Sequence, residues 1–157
     1  MNRVFRFQAS REPYQCDAAV VWCFDHRFQP GFGEFLKKIG IVYEDPIKIA
    51  GGAKSLASPE QESDREFVLE QIRKSIRLHG TKRVILKLHS DCGAYGGLKA
   101  FGGDAAAEAR HHEQELRRAA EFLSKALPGL QIEAYFVDFD GVWAIEIGTP
   151  QSRTVSS

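Results

Sequence analysis

Methionine occurs once in 157 residues and cysteine three times. Cys16, Cys23 and Cys92 are too few for a disulfide scaffold and odd in number. A metal or catalytic role for two of them, with one bystander, fits better. No apolar run approaches the ~20 residues of a membrane span. The first 15 residues mix Arg, Glu and Gln with aromatics and lack the apolar centre of a secretory signal. The expected compartment is therefore the cytoplasm, where thiols stay reduced. Net charge is also absent, with Lys+Arg and Asp+Glu at 21 each. A neutral chain gives no electrostatic reason to propose nucleic acid or an anionic membrane as partner. There is no internal repeat and no low-complexity tract.

What remains is ordinary for a globular protein: 43% hydrophobic and 27% charged residues. The length suits one domain, expected to span residues 1–157, with its core at about 16–148 and a frayed tail at 149–157. Residues 17–23 form an apolar, partly β-branched run that reads as a buried strand ending at Cys23. Pro30 and Gly31 break the loop after it. Phe32, Phe35, Leu36 and Ile39 have helical spacing, closed by Gly40. Residues 46–50 are a brief strand candidate running into Gly51-Gly52.

Ser58, Pro59 and Gln61 read as a capping box opening a helix. Val68, Leu69, Ile72 and Ile76 form its apolar stripe, and Gly80 ends it. Residues 83–88 form a third strand that delivers His89. A glycine-rich loop, 93–103, precedes Asp104, a helix cap, and a helix to about Leu127. Residues 132–139 and 142–147 complete the pattern as strands joined by a tight Asp140-Gly141 turn. Alternating strands and helices predict an α/β fold: a mostly parallel central sheet flanked by helices, with an antiparallel C-terminal edge hairpin. In the common open arrangement strands one and three adjoin at the switch point, where ligands bind at the carboxyl ends. Cys23 and His89 stand at those two ends.

Cys23, Asp25 and Arg27 occupy alternate positions, and His89 and Cys92 lie three apart. Zinc takes Cys and His ligands tetrahedrally, and a catalytic site keeps one position open. Each piece alone is weak. A cysteine closing a buried strand is more often core, and Asp-x-Arg is usually a surface ion pair. Their convergence at neighbouring strand ends is what singles them out.

The two motifs, Cys23-Phe24-Asp25-His26-Arg27 and His89-Ser90-Asp91-Cys92-Gly93-Ala94, resemble the paired signature of β-class carbonic anhydrases. The resemblance covers residues 17–148. It implies a β-carbonic-anhydrase-like fold, Zn2+ on Cys23, His89 and Cys92, and an Asp25–Arg27 dyad. It further implies reversible hydration of carbon dioxide to bicarbonate by a zinc-bound hydroxide, and assembly as a homodimer or multiple of dimers. In that scheme Asp25 orients the nucleophile and Arg27 holds Asp25 ionised and away from the metal.

Departures from the family pattern bear on the pocket. His26 stands where serine is usual, and reads as a surface histidine. The loop after strand two is Ala50-Gly51-Gly52-Ala53-Lys54-Ser55, whose glycines permit close backbone approach to a ligand. Gly51, Gly52, Ala53 and Gly93 are the expected pocket residues, and Lys54 reads as solvated. Gln15 is a bicarbonate candidate by position only. Asp91 stands between the ligands His89 and Cys92, where a supporting role and a neutral one are both open. Tyr95 and Phe101 either line a narrow pocket or pack. His111-His112 reads as a solvated helix face, His79 as a helix-end residue favoured by the dipole, and Cys16 as structural. Two other functions stay open: hydrolysis of carbonyl sulfide or carbon disulfide, and a non-catalytic zinc domain with Asp25 as fourth ligand.

Overall fold

A computed structural model describes residues 1–148. Five strands form one sheet in the order β2-β1-β3-β4-β5. They are β1 (Ala18–Cys23), β2 (Glu44–Ile49), β3 (Arg83–His89), β4 (Gln131–Val137) and β5 (Val142–Ile145). The first four run parallel, and β5 pairs antiparallel with β4. β1 is buried at every position, as a central parallel strand covered on both faces must be. Pro46 sits in β2, the outermost strand; an edge tolerates its missing N–H.

Four helices connect and cover the sheet: α1 (Gln29–Lys38), α2 (Lys54–Ala57), α3 (Glu62–His79) and α4 (Ala105–Ala126). Side chains alternate across the pleat. Ala19, Val21, Val84, Leu86 and Leu88 pack toward Leu56, Val68, Ile72, Leu116 and Leu123 of the helices. Ala18, Val20, Trp22 and Ile85 pack on the opposite face with Phe28, Phe32 and Leu36. α3 ends at Gly80 in the left-handed conformation, and Asp104 caps α4 by accepting from the Ala106 and Ala107 N–H groups.

Several local expectations change. Pro30 and Gly31 lie inside α1, with proline in its first turn, where a missing N–H costs nothing. Ser58 does not open α3; that helix starts at Glu62 with Gln61 before it. Ser58 instead ends α2, and its hydroxyl turns to Glu115. The β4–β5 connection is longer than a two-residue turn. The Asp138 carboxylate closes it by accepting from the Asp140 and Gly141 N–H groups at 2.8 and 2.9 Å. β5 stops at Ile145 rather than Ile147. The tail expected at 149–157 lies outside the described residues.

Candidate metal centre

β1 and β3 are neighbours, with Val21 opposite Leu86. This register carries Cys23 and His89 to the same end of the sheet. Cys92 follows three residues later. The ligand atoms of Cys23, His89 and Cys92 all lie within 4.8 Å of one another, and all three residues are buried. His89 Nδ1 lies 2.7 Å from the Ser90 carbonyl. That contact makes Nδ1 the N–H donor and leaves Nε2 as a lone-pair ligand. Nε2 is buried and has no hydrogen-bond partner among the described residues, as a metal-ligating nitrogen would be without its ion.

The two thiols share a proton unequally. Cys23 is pulled well below the ordinary thiol range, chiefly by a hydrogen bond from Cys92 and further by His89 and the Asp25 and Gly51 backbone, against burial. The hydrogen bond to Cys23, then burial and the Cys23 charge, push Cys92 up. A dication displaces the remaining proton and relieves both effects, since thiolate is the metal-binding form. Two soft thiolates and one imidazole are a zinc-type donor set with a fourth position left over.

Asp25 and Arg27 stand beside this cluster. Arg27 Nε donates to Asp25 Oδ1 at 3.1 Å and Nη2 donates to Oδ2 at 2.7 Å. The pair brings the Asp25 carboxyl down to about 2, with the guanidinium hydrogen bond as the largest cause. The arginine also reaches Asp91: Nη1 donates to its carboxylate and Nη2 to its carbonyl, each at 3.1 Å. Arg27 lies over the rings of Phe28 and Phe139, at 5.5 and 5.6 Å.

The family model described as "Putative carbonic anhydrase" matches residues 14–147. The chain belongs to the β-carbonic anhydrase family. Solved structures carry the same fold at low identity. The β-carbonic anhydrase isoform I of Trichomonas vaginalis is 14% identical, with 92% of this chain and 90% of that one covered at a TM-score of 0.61. Tetrameric β-carbonic anhydrases of the ascomycete Sordaria macrospora give 14%, 87%, 84% and 0.60. The apo form of a carbon disulfide hydrolase gives 16%, 88%, 88% and 0.53. No curated protein matches this chain.

Within this β-carbonic anhydrase fold the loop after β2 packs closely on the neighbouring strand ends. Gly51, Gly52 and Ala53 are buried. A Cβ on Gly52 would stand 2.6 Å from Cys23 N and 3.0 Å from Lys87 O. Gly52 thus lets the loop close over the ends of β1 and β3. A cavity beside this loop is lined by Ala50, Lys54, Ser55 and Ala94, among others. Gly93 is exposed beside Cys92. Lys54 donates to the Ser58 carbonyl at 2.7 Å rather than standing free in solvent. Gln15 precedes β1 at the end of the strand opposite Cys23 and is remote from the ligands.

Three histidine readings separate. His26 is exposed, as expected. His79 faces Asp45 at 2.7 Å, a side-chain pair beyond any dipole effect. His112 is fully buried against Tyr95, Phe101 and Phe136. The solvated face is therefore limited to other parts of α4.

Sequence reasoning also passed over two residues. Lys87 looked like one position of an apolar strand, yet its ammonium is buried among Trp22, Phe28 and Phe32, at 5.2, 5.6 and 4.9 Å from their ring centres. Glu108, on α4, is 1% exposed. The available signals were the two-residue alternation that puts Lys87 on the face of Ile85 in β3 and the four-residue spacing of Glu108 from His112 and Leu116 on α4.

Proposed function

We propose that this chain is a zinc enzyme that reversibly hydrates carbon dioxide to bicarbonate. The observation that carries the reading is the buried convergence of Cys23, His89 and Cys92 beside an Asp25 already committed to Arg27. Zinc held by these three residues supplies Lewis acidity that renders a water nucleophilic near neutral pH. Asp25, ionised and fixed by Arg27, accepts a hydrogen bond from that water and so orients it toward carbon dioxide. Because Arg27 occupies both Asp25 oxygens, the carboxylate is kept from the fourth ligand position. This favours the catalytic reading over a closed four-ligand zinc domain.

The reading extends to one domain over residues 1–157, to a cytoplasmic protein, and to a homodimer or multiple of dimers. Phe24 and Phe139, 63% and 65% exposed, flank the candidate site and support a second copy covering it. The described residues contain no helix long and apolar enough to cross a membrane. A second reading, hydrolysis of carbonyl sulfide or carbon disulfide, draws on the loop after β2. There a Cβ on Gly51 would stand 2.9 Å from the Ala94 Cβ, so the glycine lets this loop lie close to the loop that carries Cys92.

Stopped-flow hydration of carbon dioxide, on protein loaded with one zinc per chain, tests the proposal. Turnover that disappears in Cys92→Ala supports it. Absence of turnover at full zinc loading, with hydrolysis of either sulfur-containing gas, transfers the assignment to the second reading. Inactivity on all three gases overturns both.

A further inference from the structure

We infer that Glu108, on α4, is a positioning residue that holds the Ser90-Asp91 corner and, through it, both His89 and Arg27. The inference rests on the proposed metal centre. A buried carboxylate needs partners, and those of Glu108 are specific. The Ser90 hydroxyl donates to Oε2 at 2.7 Å, and the Asp91 N–H donates to Oε1 at 2.6 Å. Both donors come from the two residues between His89 and Cys92.

The corner is under backbone constraint. Asp91 has φ +55°, and among the described residues it is the only non-glycine with positive φ. Such conformations persist where neighbours over-determine them. Asp91 is held at four atoms by three partners. Its N–H is on Glu108, its Oδ1 accepts from the Leu98 N–H at 2.8 Å, and its Oδ2 and carbonyl accept from Arg27. Ser90 is held as well, with its N–H on the Val137 carbonyl at 2.8 Å. Its own carbonyl is the group that faces His89 Nδ1.

One carboxylate on a rigid 22-residue helix therefore fixes a corner with two outputs. The first is the tautomer and ring direction of His89. The second is the second anchor of Arg27, which sets how firmly Arg27 grips Asp25. Without Glu108 the Asp91 N–H and the Ser90 hydroxyl lose their acceptor. The left-handed turn relaxes, and Asp91 withdraws from the guanidinium.

The test reads Arg27 directly, in metal-free 15N-labelled protein, through the exchange rate of its Nε–H with water. Zinc affinity by competition with a chromophoric chelator is the second readout. Glu108→Ala is expected to speed Arg27 Nε–H exchange by about tenfold and to weaken zinc by roughly 10–100-fold, the usual range for partners that orient a ligand. Glu108→Gln keeps an acceptor for Asp91 and a polar partner for Ser90, and is expected to stay within about threefold on both.

Leu123→Ala, which loosens the packing of α4 away from the corner, is expected to lower Tm and leave both readouts in place. If Glu108→Ala does not fold, Glu108→Asp retains the charge but falls one methylene short, and the same faster exchange is expected. Unchanged Arg27 exchange in Glu108→Ala or Glu108→Asp overturns the inference, as does an equal change in Leu123→Ala. The Arg27 readout needs neither metal nor substrate. Inactivity on carbon dioxide with the expected exchange pattern would therefore sink the proposed reaction alone, and normal turnover with unchanged exchange would sink only the role of Glu108.

Discussion

Arg27 joins Asp25, two positions before it, to Asp91, 64 positions after it, with its Nη2 shared between the two residues. One guanidinium thus bridges the loop after β1 and the loop after β3, which follow the strand ends at Cys23 and His89, the second loop also containing Cys92. The Asp–Arg motif supplies two members of a three-residue clamp.

Breaking this clamp is expected to impair activity through geometry rather than charge. Arg27→Ala lets the Asp25 carboxyl return from about 2 toward the ordinary range near ~4, so it stays ionised at neutral pH. Its position, however, is no longer held. Carbon dioxide hydration should fall roughly 10–100-fold, and Asp91→Asn should cause a smaller loss in the same direction. Measuring kcat/KM for both variants between pH 7 and 9 checks this. Equal activity in Arg27→Ala and the unmodified protein would contradict the clamp.

His112 makes stability depend on acid. Burial lowers its pKa from 6.5 to about 3, with the charges of His111 and His89 as lesser causes. The unfolded chain binds a proton below about 6.5 and the folded chain does not until about 3. Stability from this group is complete above pH 6.5 and is lost as pH falls through that window. The slope reaches about 1.4 kcal/mol per pH unit. His112→Leu should remove it, seen as a flatter dependence of urea-unfolding free energy between pH 5 and 6.5, above the range where carboxylates dominate.

Lys87 should act with the same sign at higher pH. Its pKa is lowered from 10.5 to about 8, burial being the largest cause and the negative charges of Cys23, Asp25 and Cys92 working against it. Its buried ammonium has no hydrogen-bond partner among the described residues. The charged side chain costs stability below pH 8, by about 3 kcal/mol at most, and the cost fades as pH rises to 10.5. Lys87→Met, similar in volume and suited to an aromatic cage, should raise the urea midpoint of the metal-free protein at pH 7. An unchanged or lower midpoint would show that the thiolates and rings already offset the burial.

Two glycine-to-alanine changes should differ in sign. At Gly52 the new methyl group would meet Cys23 N at 2.6 Å and the Trp22 carbonyl carbon at 2.8 Å, in a backbone with φ +54°. Nothing there is a flexible side chain end, so the loop must move. A loss on the order of 3 kcal/mol, with impaired zinc retention, is expected. Gly33 lies within α1 and has open space around its Cβ position. Gly33→Ala should stabilise by roughly 0.5–1 kcal/mol. Thermal denaturation of the two variants checks the contrast.

The elements of the fold were legible because their signals are local. β1 shows a continuous apolar run, α3 and α4 show helical periodicity, and Gly80 and Asp104 mark helix ends. Pro30 misled, because a proline that breaks a helix interior is welcome in a first turn, and its neighbours do not reveal which case applies. Ser58 misled similarly. A serine three residues before glutamine satisfies a capping pattern, but in the fold the Glu115 carboxylate claims its hydroxyl.

The sequence by itself determined the element order, the α/β class and the placing of Cys23 and His89 at strand ends with Cys92 three residues on, since hydrophobic periodicity and residue spacing are properties of short segments. Only the tertiary structure decided that Arg27 reaches Asp91, that Gly52 closes on β1 and β3, and that Lys87, Glu108 and His112 are buried. Each of these depends on which surface of another element faces the residue. Burial and partnership are set by strand order and helix packing across long separations, and a charged or polar letter in a sequence carries no record of them.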